Sequence, residues 1–265
     1  MPIIALEYHD VIDGDDWNSS GFPGNSAATY KMAATRFDKH LDAVATVPND
    51  TGRDVRLIGR PAGSDRPVLF TFDDGGASAL CVIADRLERH GWRGHFLMTT
   101  GRIGAPGFLS AGELQELHRR GHVIGSHTES HPARMALLPP EDQAREWRHS
   151  RQTLEDVLGS PVDVASVPGG YFDATVAQIA AHAGIRWLFT SEPVSAVDVV
   201  DGCMVIGRFT LRQTSTAGVA RSLVGAAPVA RSSQWLKWNA KKMAKRLAGD
   251  GYLRLRAAIF RDDDQ

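Results

Sequence analysis

The sequence of 265 residues contains few cysteines, no long apolar run and no surplus of charge of either sign. Its two cysteines, Cys81 and Cys203, imply no disulfide framework. No stretch approaches the roughly 18 apolar residues that a membrane-spanning helix needs. Lys and Arg total 30 and Asp and Glu total 31, so the net charge is −1. Binding to bulk nucleic acid is not expected, because neutralising phosphates requires a basic surplus.

The first residues, up to Tyr8, lack the basic region and the long apolar region of a signal peptide. Together with the balanced composition, this predicts a soluble, cytoplasmic protein with a single core. The sequence leaves the oligomeric state open.

Apolar runs typical of strands alternate with helical patterns about seven times along the chain. The strand-like runs cover residues 3–8, 67–72, 94–99, 123–126, 163–167, 185–190 and 205–211. Helical patterns begin near Thr35, Leu80, Ser110, Pro139 and Asp173. This alternation predicts an α/β fold with a parallel sheet, either closed as a barrel or open and doubly wound.

The C-terminal part has a different composition, which divides the chain into a domain over residues 1–230 and a basic tail over residues 231–265. Within the tail, residues 234–248 carry one apolar helical face, formed by Leu236, Ala240, Met243, Ala244 and Leu247. Lysines surround that face, and Trp235 and Trp238 flank it. This pattern suits a helix lying in an anionic membrane surface, or a helix that packs on the barrel with its lysines in water.

Polar residues follow two of the predicted strands, where active sites of parallel α/β folds gather. Asp73 and Asp74 end one strand, and His127 and His131 follow another. Each pair alone has an ordinary explanation, such as the turn chemistry of Asp-Asp-Gly. Two imidazoles four residues apart would share a face if that segment were helical. One carboxylate with two imidazoles is the ligand pattern of a catalytic metal site with open positions.

Two segments resemble motifs of the polysaccharide deacetylases, also called carbohydrate esterase family four or the NodB homology domain. Thr71-Phe72-Asp73-Asp74-Gly75 resembles the first motif, and His127-Thr128-Glu129-Ser130-His131-Pro132 resembles the second. The resemblance extends from about Pro67 to Thr190, and Tyr8-His9-Asp10 is similar to the first strand of many members. It implies a distorted (β/α) barrel with seven or eight strands.

The resemblance also implies roles for individual residues. Asp73 would be the catalytic base, and Asp74, His127 and His131 would bind a divalent ion, usually zinc. The backbone N–H of Gly169 would hold the oxyanion. The residues expected to line the substrate site are Asp10, Pro168, Gly170, Tyr171 and Arg208.

The sequence departs from the family pattern in three places. The third motif lacks the arginine that orients the base, since Val167 precedes Pro168, and no aspartate follows Thr190 to pair with it. The fifth motif has Arg208 where the family has an acid-donating histidine, and arginine is a poor proton donor. We therefore predict His9 as the general acid.

The function expected from these residues is metal-dependent removal of an N-acyl group, foremost N-acetyl, from a sugar or glycan precursor. A lipid-linked or nucleotide-linked precursor at the inner membrane face fits the predicted location and tail. Two alternatives stay open: hydrolysis of another small C–N bond, as in cyclic imides, and glycan binding by a pseudoenzyme without turnover.

Overall fold

The computed structural model describes residues 2–58, 66–226 and 229–240. Its strands are β1 (Ile4–Tyr8), β2 (Val11–Ile12), β3 (Met32–Ala33), β4 (Asp50–Thr51), β5 (Pro67–Phe72), β6 (Gly94–Met98), β7 (Val123–Ser126), β8 (Val164–Ser166), β9 (Trp187–Phe189), β10 (Val197–Val200), β11 (Cys203–Ile206) and β12 (Arg208–Thr210). Its α-helices are α1 (Asn25–Ala28), α2 (Ala34–Ala45), α3 (Asp85–Arg89), α4 (Ala111–Arg119), α5 (Pro140–Leu158), α6 (Ala174–His182) and α7 (Ala217–Val224). Residues 229–240 form a further helix, here called the mouth helix.

The main sheet closes on itself as a barrel of parallel strands. Strands β1, β5, β6, β7, β8, β9 and β11 pair side by side in this order, all parallel. Strand β12 continues β11 after Gly207 and pairs in parallel with β1. The continuous segment β11–β12 therefore pairs with β9 at its start and with β1 at its end, which closes a ring of seven strand positions. The predicted distorted barrel is confirmed, and the open sheet is not observed.

Gly207 lies at the point where this closing strand changes partners. A Cβ atom at this position would lie 2.3 Å from the carbonyl oxygen of Glu192 and 2.5 Å from a methyl group of Val194. Only glycine lets the backbone approach this closely. We infer that the closure depends on a residue without a side chain here.

Local sequence signals account for several element boundaries. Every residue of β5 is buried, as expected for a barrel strand covered on both faces. The predicted capping box at the start of α4 is present, with Ser110 and Glu113 bonding each other's backbone. The side chain of Asp173 caps α6 as predicted.

Other elements differ from the sequence prediction. The segment predicted as a loop over residues 9–29 contains β2 and the short helix α1. Strand β10 pairs antiparallel with β11 on the outside of the ring, and no sequence pattern indicated it. Cys81 is exposed, Cys203 is buried, and both thiols are free. Within the described residues, no helix combines the length and apolar character needed to span a membrane.

The predicted tail lies only partly within the described chain. The described part of the mouth helix starts at residue 229, close to the predicted boundary at Arg231. The division into a barrel and a tail stays a prediction. Of the amphipathic helix predicted over residues 234–248, residues 241–248 lie outside the described residues.

Candidate active site

The two adjacent carboxylates leave the C-terminal end of β5 in different directions. The backbone N–H of Asp73 donates to the carbonyl of Tyr8 at 3.1 Å, which continues the pairing with β1. Asp74 then adopts a left-handed conformation with φ of 76°, which aspartate tolerates better than most residues. Both side chains are buried, with 4% and 9% of their residue surfaces exposed. The turn therefore presents two separate carboxylates at one end of the barrel.

The two histidines after β7 converge without a helix. Residues 127–131 form a loop in which Thr128 and His131 have left-handed backbones, with φ of 68° and 59°. This bend brings the imidazole centroids of His127 and His131 to 5.0 Å from each other. This segment is therefore not helical, and the bend of the loop, not an i, i+4 helical spacing, brings the two imidazoles together.

A carboxylate from α5 fixes this loop. Glu146 accepts hydrogen bonds from the backbone N–H groups of Glu129 and Ser130 at 2.9 and 2.8 Å, and from the Ser130 hydroxyl at 2.6 Å. No sequence pattern distinguishes Glu146 from the other residues of its helix. A carboxylate that satisfies several loop donors holds the two imidazoles in place.

The side chains of Asp74, His127 and His131 fit a divalent metal ion. One ligand atom from each lies within 4.8 Å of the others. Asp74 Oδ1 is 3.6 Å from His127 Nε2 and 3.4 Å from His131 Nε2. Among the described residues this buried oxygen has no hydrogen-bond partner, which a cation would supply. One carboxylate and two imidazoles are hard and borderline ligands that suit zinc and similar ions.

The His127 ring is oriented by a partner on the neighbouring strand. Its Nδ1 lies 2.6 Å from the Ser166 hydroxyl and 3.1 Å from the Ser166 carbonyl oxygen, so Nε2 faces the ligand group. Burial lowers the pKa of the imidazole to about 3, although the Asp73 carboxylate favours its charged form. The ring is therefore neutral at physiological pH, as a metal ligand must be.

Burial raises the pKa of the Asp74 carboxyl group, and the nearby His9 and His131 oppose this shift. An ionised carboxylate at this depth needs a counter-charge. A cation bound between Asp74 and the two imidazoles would provide one.

Asp73 is held by Arg208 in a two-pronged ion pair. Nη1 and Nη2 of the arginine donate to Oδ1 and Oδ2 of Asp73, each at 2.7 Å. Arg208 also donates to the Thr71 hydroxyl at 3.1 Å and to the Thr190 carbonyl at 3.2 Å. Its side chain is fully buried. The expectation that Arg208 contacts substrate is therefore corrected, since its donors are directed to Asp73 and its neighbours.

Glu7 is a second buried carboxylate beside Arg208. Its Oε2 lies 3.8 Å from Arg208 Nε, and its carboxylate accepts hydrogen bonds from the hydroxyl groups of Ser191 and Thr210 at 3.3 and 3.0 Å. The sequence pattern around Glu7 predicts only a strand. A lone carboxylate in an otherwise apolar buried strand was the signal that could have identified it.

The charged groups around Asp73 keep its carboxylate ionised. Burial alone would raise the pKa of its carboxyl group, but the Arg208 guanidinium and the His127 ring outweigh that effect and bring the pKa below its ordinary value. Asp73 is thus a fixed, charged carboxylate at neutral pH, next to the candidate metal ligands.

Asp10, expected to contact substrate, has a structural position instead. It is 3% exposed, and its Oδ1 accepts hydrogen bonds from the hydroxyl groups of Ser20 and Ser78. It ties the loop after β1 to the turn after β5. The expectation for Asp10 is corrected on this ground, because its carboxylate is turned toward these loops.

The loop after β8 contributes backbone to the site. Pro168–Gly170 form a 3₁₀ turn in which Gly169 has φ of 69°. A Cβ atom on Gly169 would lie 2.2 Å from the carbonyl oxygen of Ala133, so this position requires glycine. The Tyr171 ring lies 5.6 Å from the Arg134 guanidinium carbon. The predicted oxyanion and substrate roles of residues 168–171 stay predictions.

Comparisons with known proteins agree with this geometry. The sequence profile described as "Polysaccharide deacetylase" matches residues 60–188. This match, over slightly less than half of the chain, agrees with the resemblance of the two motifs to the polysaccharide deacetylases. Chitin deacetylase 1 of Cryptococcus neoformans is 28% identical to the chain over 138 residues, which is 52% of this chain and 27% of that protein. YheN of Bacillus subtilis, whose name provisionally describes a polysaccharide deacetylase, is 28% identical over 106 residues, 40% of this chain and 36% of its own.

The fold of this chain also matches solved structures. The Streptococcus pyogenes deacetylase PplD, determined in complex with acetate, superposes with a TM-score of 0.68 at 18% identity. The match covers 82% of this chain and 96% of PplD. At this identity the match shows the fold alone. The chain spans only 27% and 36% of the two curated relatives, so their activities are not transferred directly.

The base-orienting arginine and its acidic partner, expected from the third and fourth motifs of the resembled family, are missing from those segments of this sequence. A guanidinium from another strand nevertheless holds Asp73, since Arg208 of β12 pairs with it. Glu7 of β1 lies beside Arg208. The carboxylate of Asp73 therefore has a guanidinium partner although the motif arginine is absent.

His9 lies beside this group at the end of β1. Its ring is 4.8 Å from the Tyr30 ring, and one ring nitrogen lies within 4.8 Å of carboxylate oxygens of Glu7 and Asp73. Within the described chain, the buried Nδ1 of His9 has no hydrogen-bond partner. The imidazole is therefore close to the candidate base. Its role as general acid stays a prediction.

Proposed function

We propose that this protein removes an N-acetyl group from a sugar or glycan precursor by metal-dependent hydrolysis. One observation carries the proposal. The buried carboxylate of Asp73, held by Arg208, adjoins the ligand group of Asp74, His127 and His131, and the buried Oδ1 of Asp74 has no hydrogen-bond partner among the described residues. The match of residues 60–188 to the polysaccharide deacetylase profile supports it. So do the name of chitin deacetylase 1 and the acetate bound to PplD.

Asp74, His127 and His131 would hold the divalent ion, and we propose zinc. Such an ion supplies Lewis acidity toward the acyl carbonyl and lowers the pKa of a water molecule. Asp73 would accept a proton from the attacking water, since it is ionised and oriented by Arg208. The new C–O bond forms at the acyl carbon, and the Gly169 N–H would donate to the oxyanion.

Breaking the C–N bond releases acetate and requires a proton on the departing amine. His9 is the proposed donor, because it lies on the same barrel end and close to Asp73. With the pairing seen here, Arg208 would not donate this proton, since its guanidinium stays charged and is fully buried.

The reaction class is tested by product release. Purified protein is incubated with N-acetylglucosamine oligomers and, separately, with a cyclic imide, before and after metal removal with a chelator. We expect acetate from the sugar, loss of release in the chelator and recovery on adding zinc. Opening of the imide ring without acetate release from the sugar would favour the alternative that the protein hydrolyses another small C–N bond. Retained oligosaccharide binding with no product from either substrate would favour the pseudoenzyme.

His9→Gln should reduce turnover on the N-acetyl sugar by about 100-fold, the lower range for loss of a general acid. Metal content should stay unchanged, because His9 is not among the proposed ligands. The measurements are kcat and metal analysis by mass spectrometry. His182→Gln, at an exposed position on α6, is the matched control and should behave as the unaltered protein. Near-normal turnover of His9→Gln would remove His9 from the mechanism.

A further inference from the structure

The mouth helix is fixed to the barrel by a polar face. Arg231 donates to the carbonyl oxygens of Leu223 and Gly225 at 2.6 and 2.8 Å. Gln234 donates to the carbonyl of the last residue of β12 at 3.1 Å. Trp238 follows four residues later on the same side of the helix. Residues spaced by three and four positions therefore form the inner face.

The inner face places the mouth helix at the edge of the candidate active site. The Trp238 ring lies 3.0 Å from the position that a Cβ atom on Gly170 would occupy. Gly170 belongs to the same 3₁₀ turn as Gly169, the proposed oxyanion residue. The helix is thus a neighbour of the catalytic loop.

The apolar side of the mouth helix faces away from the barrel. Val229 and Leu236, seven residues apart and so on one stripe, are 72% and 61% exposed. Trp235 is 48% exposed, and Lys237 is also exposed. A helix that packed on the barrel through its apolar stripe would bury these residues. Over the described residues, the helix contacts the barrel with Lys237 in water, as the packed alternative expects. The contact is made by the inner face, so Val229 and Leu236 stay exposed.

The charge of this segment has a single sign. Residues 229–249 contain no Asp or Glu. They carry the basic residues Arg231, Lys237, Lys241, Lys242, Lys245 and Arg246. Exposed apolar residues, an exposed tryptophan and a segment rich in lysine complement an anionic lipid surface, where rings enter the headgroup layer and ammonium groups meet phosphates.

We propose that the outer face of the mouth helix docks this protein on an anionic lipid membrane. Docking would bring the catalytic loop, which touches the inner face of the same helix, next to the lipid surface. This extension to substrate rests on the proposed function: the acetylated sugar would then belong to a glycan held at the membrane by a lipid carrier.

The docking is tested by sedimentation of the full-length chain with vesicles. We expect binding to phosphatidylcholine vesicles that contain about one third phosphatidylglycerol, weak binding to pure phosphatidylcholine, and a decrease with added salt. The double variant Trp235→Gln/Leu236→Gln should bind the anionic vesicles at least 10-fold more weakly. Val199→Gln, which removes an exposed apolar residue from β10, is the matched control and should bind normally.

Stability and assembly are measured on the same variants. Unchanged thermal unfolding and oligomeric state of the double variant support docking through an exposed face. Absence of anionic vesicle binding by the unaltered chain, or full binding by the double variant, would overturn the proposal. A changed oligomeric state with unaffected vesicle binding would assign the face to a second copy of the chain, and a lower unfolding temperature with unaffected vesicle binding to intramolecular packing.

The vesicle result is independent of catalysis. Asp73→Asn protein, expected to be inactive, should bind vesicles as the unaltered chain does. Vesicle binding without acetate release from any sugar would leave the docking surface in place and contradict only the proposed function.

Discussion

Asp73→Asn is expected to lower deacetylation by about 100- to 10,000-fold, the range for removing a general base. The amide is close to the carboxylate in shape but cannot accept the proton of the attacking water. The measurement is the rate of acetate release from an N-acetylglucosamine oligomer. We expect the variant to keep one metal ion per chain, because Asp74, His127 and His131 provide the proposed ligands.

Thermal unfolding and metal content of Asp73→Asn distinguish loss of the base from loss of the fold or of the metal ion. Its amide nitrogen would face a donor of Arg208, so part of the loss could come from a less stable fold. Thermal unfolding therefore accompanies the rate. If the metal is lost together with activity while the fold is stable, the roles of Asp73 and Asp74 are reversed.

Arg208→Lys should lower kcat by about 100-fold, the cost of displacing a catalytic group by about an ångström, with a smaller change in KM. Lysine keeps the positive charge, but a single ammonium cannot bind both oxygens of Asp73 as the guanidinium fork does. The carboxylate would stay ionised and lose its fixed direction. Steady-state kinetics separate kcat from KM.

Two further variants distinguish positioning of the base from general stability. Arg120→Lys breaks a comparable fork to Glu88 away from the site, and we expect normal kcat. Arg208→Met leaves Asp73 and Glu7 buried without a counter-charge, and a loss of about 3–5 kcal/mol in the free energy of unfolding is expected. If Arg208→Lys lowers stability as Arg120→Lys does and leaves kcat unchanged, Arg208 has only a structural role.

The pairing of Arg208 with Asp73 shows how a candidate base can be held although the arginine of the resembled motif is absent. In a closed barrel, the ends of distant strands meet at one mouth. Glu7 and Arg208 are separated by about two hundred residues in sequence, yet β1 and β12 are neighbours that register Ala5 against Arg208. A guanidinium can therefore reach the same carboxylate from a different strand.

Much of the architecture follows from short-range patterns in the sequence. The apolar run at Pro67–Phe72 predicts β5 with its observed limits, and the Ser110–Glu113 capping box marks the start of α4. Such signals act over a few residues, through burial of alternate side chains and satisfaction of backbone donors. The candidate metal ligands were also evident, because three residues with metal-binding side chains, one aspartate and two histidines, follow two predicted strands.

Only the tertiary structure decided what surrounds those ligands. The sequence indicated Asp10 and Arg208 as substrate contacts, whereas the fold turns Asp10 toward Ser20 and Ser78 and directs Arg208 to Asp73. The orientation of the mouth helix was likewise ambiguous, since an amphipathic pattern predicts two faces without telling which one meets the barrel. The sequence by itself determined which chemistry is present. Contacts between segments distant in sequence determined which groups surround Asp73 and which face of the mouth helix is exposed, because no local pattern encodes such contacts.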